Sequence, residues 1–249
     1  MEKEKSHKIR YHILDEYRGF MVLNMIAYHT LWDLVYLCDA YIPWYNSLGA
    51  YVWQQAICWT FILISGFSFC LGKKSLKRGV LVALMGVIIS VVTAVFIPEE
   101  KIFFGILTLI GSCMIIFSFL DKYLKKSKPL IGLSVSIIAF VLMRNINDGY
   151  IGFEKWNLVR LPDFLYANIL STYLGFTKRG FESLDYFSLI PWIFLFSAGY
   201  YLFKICKTKD WLRYFEHSKI KWLEKVGKHS LGIYMLHQPV IYLILSFFR

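Results

Sequence analysis

The sequence predicts an all-α fold, a polytopic transmembrane helical bundle of about seven spans with a cytoplasmic N-terminus. Three observations predict it. Hydrophobic residues make up 57% of the 249 and mean hydropathy is +0.49, whereas a soluble domain is about 45–50% apolar. The apolar residues gather into runs, and roughly 20 such residues cross a hydrocarbon core about 30 Å thick. The basic residues fall between the runs, so the net charge of +11 reads as contact with anionic lipid headgroups and as topology control, not as nucleic-acid binding. The 17 Tyr and 8 Trp are types enriched at membrane interfaces.

The runs that qualify are residues 19–38, 50–71, 79–97, 102–120, 129–143, 187–206 and 229–248. The charged start runs straight into the first of them without an A-x-A-like exit, which predicts a retained span and not a cleaved signal peptide. Segment 162–176 is also apolar but carries Pro162, Asp163, Asn168 and Gly175, which predicts a short interfacial or re-entrant helix. With seven spans and the N-terminus inside, about 21 of the 28 Lys and Arg face the cytoplasm, as the positive-inside rule requires. An eighth span would put the Lys-rich segment 204–228 outside. The segment 144–186, with Trp156, Phe164, Tyr166 and Tyr173, is expected to cap the outer face, and residues 1–249 read as one domain. The five cysteines show no CxxC or Cys/His spacing, so neither a disulfide framework nor a metal site is expected.

Ionisable residues within the first span mark a functional face, because each costs roughly 2.5–3.5 kcal/mol at a membrane helix centre. Arg18 and His29 are eleven residues apart, which is about 20° from alignment and roughly 16 Å along a helix. Asp33 follows His29 by four residues and falls on the same face; Asp15 can pair with Arg18. Arg18 would then meet an anion at the cytoplasmic boundary. His29, oriented by Asp33, would perform proton chemistry beyond the midplane. Arg18 also suits a simple positive-inside anchor, and Asp33 an interfacial residue.

The segment LDEYRGFMVLNMIAYHTLWDL resembles the opening of the heparan-α-glucosaminide N-acetyltransferase-like family, in particular its small bacterial members. Its Arg, ten residues, His spacing is also similar to bacterial inner-membrane carbohydrate O-acyltransferases of the wider transmembrane acyltransferase superfamily. Ser65-Gly66, Lys77-Arg78-Gly79, Phe104-Gly105-Ile106-Leu107, the run Asp185 to Trp192 and the run Gly227 to Pro239 follow in order. The resemblance implies transfer of an acyl group, acetyl in the first instance, from cytoplasmic acyl-CoA (acetyl-CoA) to a hydroxyl or amine of a sugar-type acceptor across a bacterial inner membrane. The lysosomal member carries its catalytic His in the loop after the first span. Residues 38–49 contain none, so the role passes to His29 alone, with Asp33 beside it.

On that reading the CoA phosphates meet Arg18 and a basic rim of Lys74, Arg78 and Lys228. In the last span Ser230, Tyr234 and His237 share a face. His237 is expected at a depth similar to His29, so His237 and Gln238 are candidate substrate-binding residues; a structural His bonded to a neighbouring carbonyl or to Asp33 is the alternative. Asp185, before the sixth span, is a candidate for an acceptor hydroxyl or equally a helix cap. Ser65-Gly66 suits close helix packing. A different class of function, a small proton-coupled transporter with His29 and Asp33 as its relay, stays open. So does self-association into a homo-oligomer.

Overall fold

The computed structural model describes residues 10–247. The Lys-rich start at residues 1–9, counted above among the cytoplasmic segments, lies outside the described residues. The chain is an all-α membrane bundle protein. Its helices are α1 (His12–Tyr36), α2 (Leu48–Phe69), α3 (Ser75–Phe96), α4 (Ile106–Leu124), α5 (Pro129–Leu142), α6 (Ile169–Leu174), α7 (Trp192–Thr208), α8 (Lys221–Lys228) and α9 (Ser230–Ser246). A hairpin, β1 (Tyr150–Phe153) with β2 (Trp156–Arg160), is the departure from helix among the described residues. By length and composition α2, α3 and α4 suffice to cross a membrane, and α5 and α9 are shorter apolar helices. At 17 residues α9 spans about 25 Å.

Seven helices fall on the seven apolar runs, with shifted ends. α1 begins at His12, well before the apolar run, because Leu14, Asp15 and Glu16 are buried and bonded. α4 begins at Ile106, since Phe104 takes a left-handed backbone (φ 56°) that interrupts the run. α7 waits until Trp192. Residues 189 and 190 before it donate their backbone N–H groups to the Tyr173 and Leu174 carbonyls at 2.8 and 2.9 Å. Segment 162–176 forms a 3-10 turn, Asp163–Tyr166, and the six-residue α6. Neither is a span.

The chain divides into two compact units, residues 62–205 and residues 1–61 with 206–249. In the first unit small residues let backbones approach, as membrane helices commonly require. A Cβ on Gly86 would lie 2.6 Å from the Thr108 backbone nitrogen, and one on Gly111 within 2.6 Å of the Ala83 Cα, so α3 and α4 touch along their length. Gly66 of α2 and Gly199 of α7 likewise face the backbones of Phe196 and Leu63. Around them Phe69, Cys113, Phe117, Phe196 and Tyr200 are buried, with the Phe117 and Phe196 rings 5.0 Å apart. The opposite wall of α3 (Val80, Leu84, Val87, Val91, Val95) is exposed and apolar. A strip of that size suits hydrocarbon, not water.

The same unit holds a polar plug built from residues 144–190. Asn145 donates to the Glu154 carbonyl (2.7 Å) and to Asn157 Oδ1 (2.8 Å), which fixes the hairpin. Asn147 donates to Ser188 Oγ (3.0 Å) and to the Gly175 carbonyl (3.2 Å), and Tyr166 donates to the Ile146 carbonyl (2.7 Å). Buried backbone polar groups need such partners. Asp185 Oδ2 accepts from the Ile106 N–H at 3.4 Å, at the N-terminus of α4.

The second unit contains α1, the start of α2, α8 and α9. α8 crosses α1 where Gly19 and Gly227 meet, each glycine facing the other helix's backbone. Two buried carboxylates of opposite helices lock that crossing. Glu16 of α1 accepts from the Ser218 hydroxyl (2.6 Å) and from the Lys219 and Ile220 N–H groups (2.6 and 2.9 Å), capping the start of α8. Glu224 of α8 binds His12 Nδ1 at 2.7 Å and pairs with Lys228. Trp222, Lys221 and Lys225 stay exposed on the other side of α8, so this short helix has the profile of one lying in a membrane interface.

Candidate active site

α1 and α9 bring together the two histidines. Their ring centroids are 4.9 Å apart, with the rings inclined at 59°. His237 Nδ1 lies 2.6 Å from the Tyr234 carbonyl, one turn earlier on α9. A carbonyl only accepts, so Nδ1 carries the proton and Nε2 keeps its lone pair. That Nε2 is buried without a hydrogen-bond partner. A neutral imidazole in this tautomer cannot donate from Nε2; the atom is a base or a nucleophile.

Beside the rings, Gln238 Nε2 donates to Asp33 Oδ1 at 2.7 Å. Asp33 is fully buried. An ionised carboxylate only accepts, so the amide NH₂ must face it and the Gln238 carbonyl oxygen must point elsewhere. That oxygen is buried and has no partner. Two acceptor atoms on adjacent residues, His237 Nε2 and Gln238 Oε1, are therefore desolvated and unpaired. Each such atom costs about 1–3 kcal/mol unless a ligand supplies a donor.

A groove of about 680 Å³ runs between α1 and α9. Ile26 and Thr30 of α1, on either side of His29 in sequence, form one wall. His237 lines it and His29, packed against His237, does not. Lys228 and His229 stand at one end, and Val240, Ile241 and Ile244 at the other. Tyr28, Tyr45 and Trp53 cluster next to His29 with centroid separations of 5.2–6.1 Å.

Of the remaining candidates, Arg18 shares α1 with His29 and Lys228 lines the groove, whereas Lys74, Arg78 and Asp185 lie elsewhere. Arg18 pairs with Asp15 Oδ1 at 2.5 Å, and Arg10 holds the other oxygen of Asp15 at 2.9 Å. Lys228, at the groove's end, pairs with Glu224. Lys74 and Arg78 are exposed at the start of α3, and Asp185 sits at the N-terminus of α4; all three belong to the other unit. Cations at a helix N-terminus oppose its dipole, so charge topology is a sufficient reason for Lys74 and Arg78. Outside the apolar runs, the Lys228 amine and then His12 hold the Glu224 carboxyl far below the usual carboxylate range, to about 2. Burial raises Glu16, but the Ser218 hydroxyl and two backbone N–H groups outweigh it, and its pKa is lowered.

The alternative expected for His237, a bond to a neighbouring carbonyl, is what the structure shows, with Tyr234 one turn earlier as the acceptor. The sequence did not point to Gln238 as the partner of Asp33 or to the Glu16–α8 cap, both of which join residues about 200 positions apart.

The family model described as heparan-alpha-glucosaminide N-acetyltransferase, catalytic, matches residues 10–239 of this chain. No curated protein and no solved structure matches it.

Proposed function

The chain belongs to the heparan-alpha-glucosaminide N-acetyltransferase catalytic family, and on that premise we propose that it transfers an acyl group from cytoplasmic acyl-CoA to a hydroxyl or amine, of a sugar-type acceptor, at the outer side of the membrane. The reading places the N-terminus in the cytoplasm and treats both compact units as one functional domain, because the family match runs through both.

The observation that carries the reading is the packed His29–His237 pair, in which His237 lines the groove and its Nε2 has no hydrogen-bond partner. The acceptor's N–H or O–H gives its proton to the imidazole pair, His29 and His237, and the freed lone pair attacks the thioester carbonyl. The tetrahedral intermediate collapses, the C–S bond breaks, and the CoA thiolate leaves and takes up the proton. Asp33 positions Gln238, whose Oε1 is free to accept from a second acceptor group. Arg18 and Lys228 are assigned to the CoA phosphates; Lys74 and Arg78, of the other unit, are assigned to a basic cytoplasmic rim. Asp185 is assigned to the acceptor side.

Thermal unfolding of the detergent-purified protein, titrated with acetyl-CoA against desulfo-CoA and free acetate, tests this. Saturation at 100 times Kd stabilises the folded state by about 2.7 kcal/mol, and that stabilisation should be specific to the CoA thioester. A flat response to every CoA compound would favour the transporter reading, in which the buried His and Asp relay protons.

A further inference from the structure

The groove between α1 and α9 does not stop at the histidine. From His229 to His237 it runs eight residues, roughly 12 Å along the helix. From His237 it continues past Val240 and Ile241 to Ile244, a further seven residues or about 10 Å. The near stretch joins a cationic end to the imidazole. The far stretch offers only branched aliphatic side chains, and it is larger than a two-carbon acyl group needs.

We propose that this far stretch is an acyl-chain subsite, and that the donor is a CoA thioester with a chain longer than acetyl. The inference rests on the acyl-transfer reading above and adds the donor's class to it. Three features favour this occupant. The groove is bipolar, with Lys228 and His229 at one end and an apolar other end, which matches a phosphate-bearing head and an alkyl tail. α8, which ends at Lys228, carries three exposed or half-exposed lysines, Lys221, Lys225 and Lys228, against one buried carboxylate, Glu224. His237 lies at the junction of the two stretches, where the thioester of such a donor falls. Gly232 lines the near stretch, and a Cβ there would meet nothing within 4 Å. The floor of the groove is thus open space, and a side chain at position 232 fills the groove instead of the protein core.

Equilibrium binding of acetyl-, butanoyl- and octanoyl-CoA to the purified full-length protein tests the proposal, with Gly232→Leu and Val240→Trp as variants. Burial of each methylene favours binding by about fourfold, so octanoyl-CoA should bind the wild type at least tenfold more tightly than acetyl-CoA. Val240→Trp, whose site is half-exposed at 49% and therefore accepts bulk, should bring the octanoyl-to-acetyl ratio towards one. Gly232→Leu should weaken every thioester. Ile244→Trp repeats the Val240 test should that variant fail to fold. Equal affinity for all chain lengths in the wild type, with acetyl-CoA still bound, would mean that bilayer lipid fills the far stretch. That outcome overturns the subsite and leaves acyl transfer standing. Absence of binding by any CoA thioester overturns both.

Discussion

At the scale of single residues, the site is governed by which buried atoms lack a donor. His237 Nδ1 is committed to the Tyr234 carbonyl and Gln238 Nε2 to Asp33. The acceptors left over, His237 Nε2 and Gln238 Oε1, are buried without a donor. Gln238→Met keeps the side-chain volume and removes the amide, leaving the Asp33 carboxylate without that donor. A hydrogen bond to a charged group contributes about 1.5–3 kcal/mol, so chemical unfolding of Gln238→Met should show a loss of that size. Gln238→Glu should lose more, because two carboxylates would then share a buried site. The spacing of Arg18, His29 and Asp33 made this face legible in the sequence. Asp33's bond to a residue 205 positions later was not, because helix periodicity carries no information about the partner helix.

At the scale of elements, the α1–α8 junction shows why a helix begins where hydropathy says it should not. Residues 12–18 are too polar for a span, yet they are helical because Glu16 caps α8 and Glu224 holds His12 and Lys228. The Glu224 carboxyl is lowered from 4.5 to about 2, and Glu16 is lowered as well. Both contribute stability that is present above the unfolded carboxylate pKa and is lost as pH falls through the folded value. Trp222 emission should therefore report loosening of α8 between pH 4.5 and 2, and Glu224→Gln should flatten that part of the titration. Gly227→Ala would push a methyl onto the Asp15 carbonyl, and overpacking of this kind costs about 1–3 kcal/mol. Its thermal midpoint should fall accordingly, while Gly232→Ala, open on the groove, should not lose stability. The seven long helices were readable from runs of apolar residues. The hairpin Tyr150–Arg160 was not, since Asn145 fixes it from outside its own sequence.

For the whole molecule, the orientation proposed above rests on the distribution of Lys and Arg and not on the helices. With the N-terminus in the cytoplasm, the turn after α1 lies outside, and Cys38 in that turn is exposed. A variant that keeps Cys38 and replaces the other four cysteines should react with a membrane-impermeant maleimide added to intact cells. Labelling only after the membrane is breached would reverse the orientation and, with it, the side from which the acyl donor arrives. Thiol release from acyl-CoA, measured with purified wild type, His29→Ala and His237→Ala in the presence of a sugar acceptor, tests whether the His29–His237 pair performs acyl transfer. Each variant should still fold and bind the thioester but transfer at least 100-fold more slowly, the lower end of what general base catalysis supplies. Wild-type turnover by His29→Ala or by His237→Ala would contradict it.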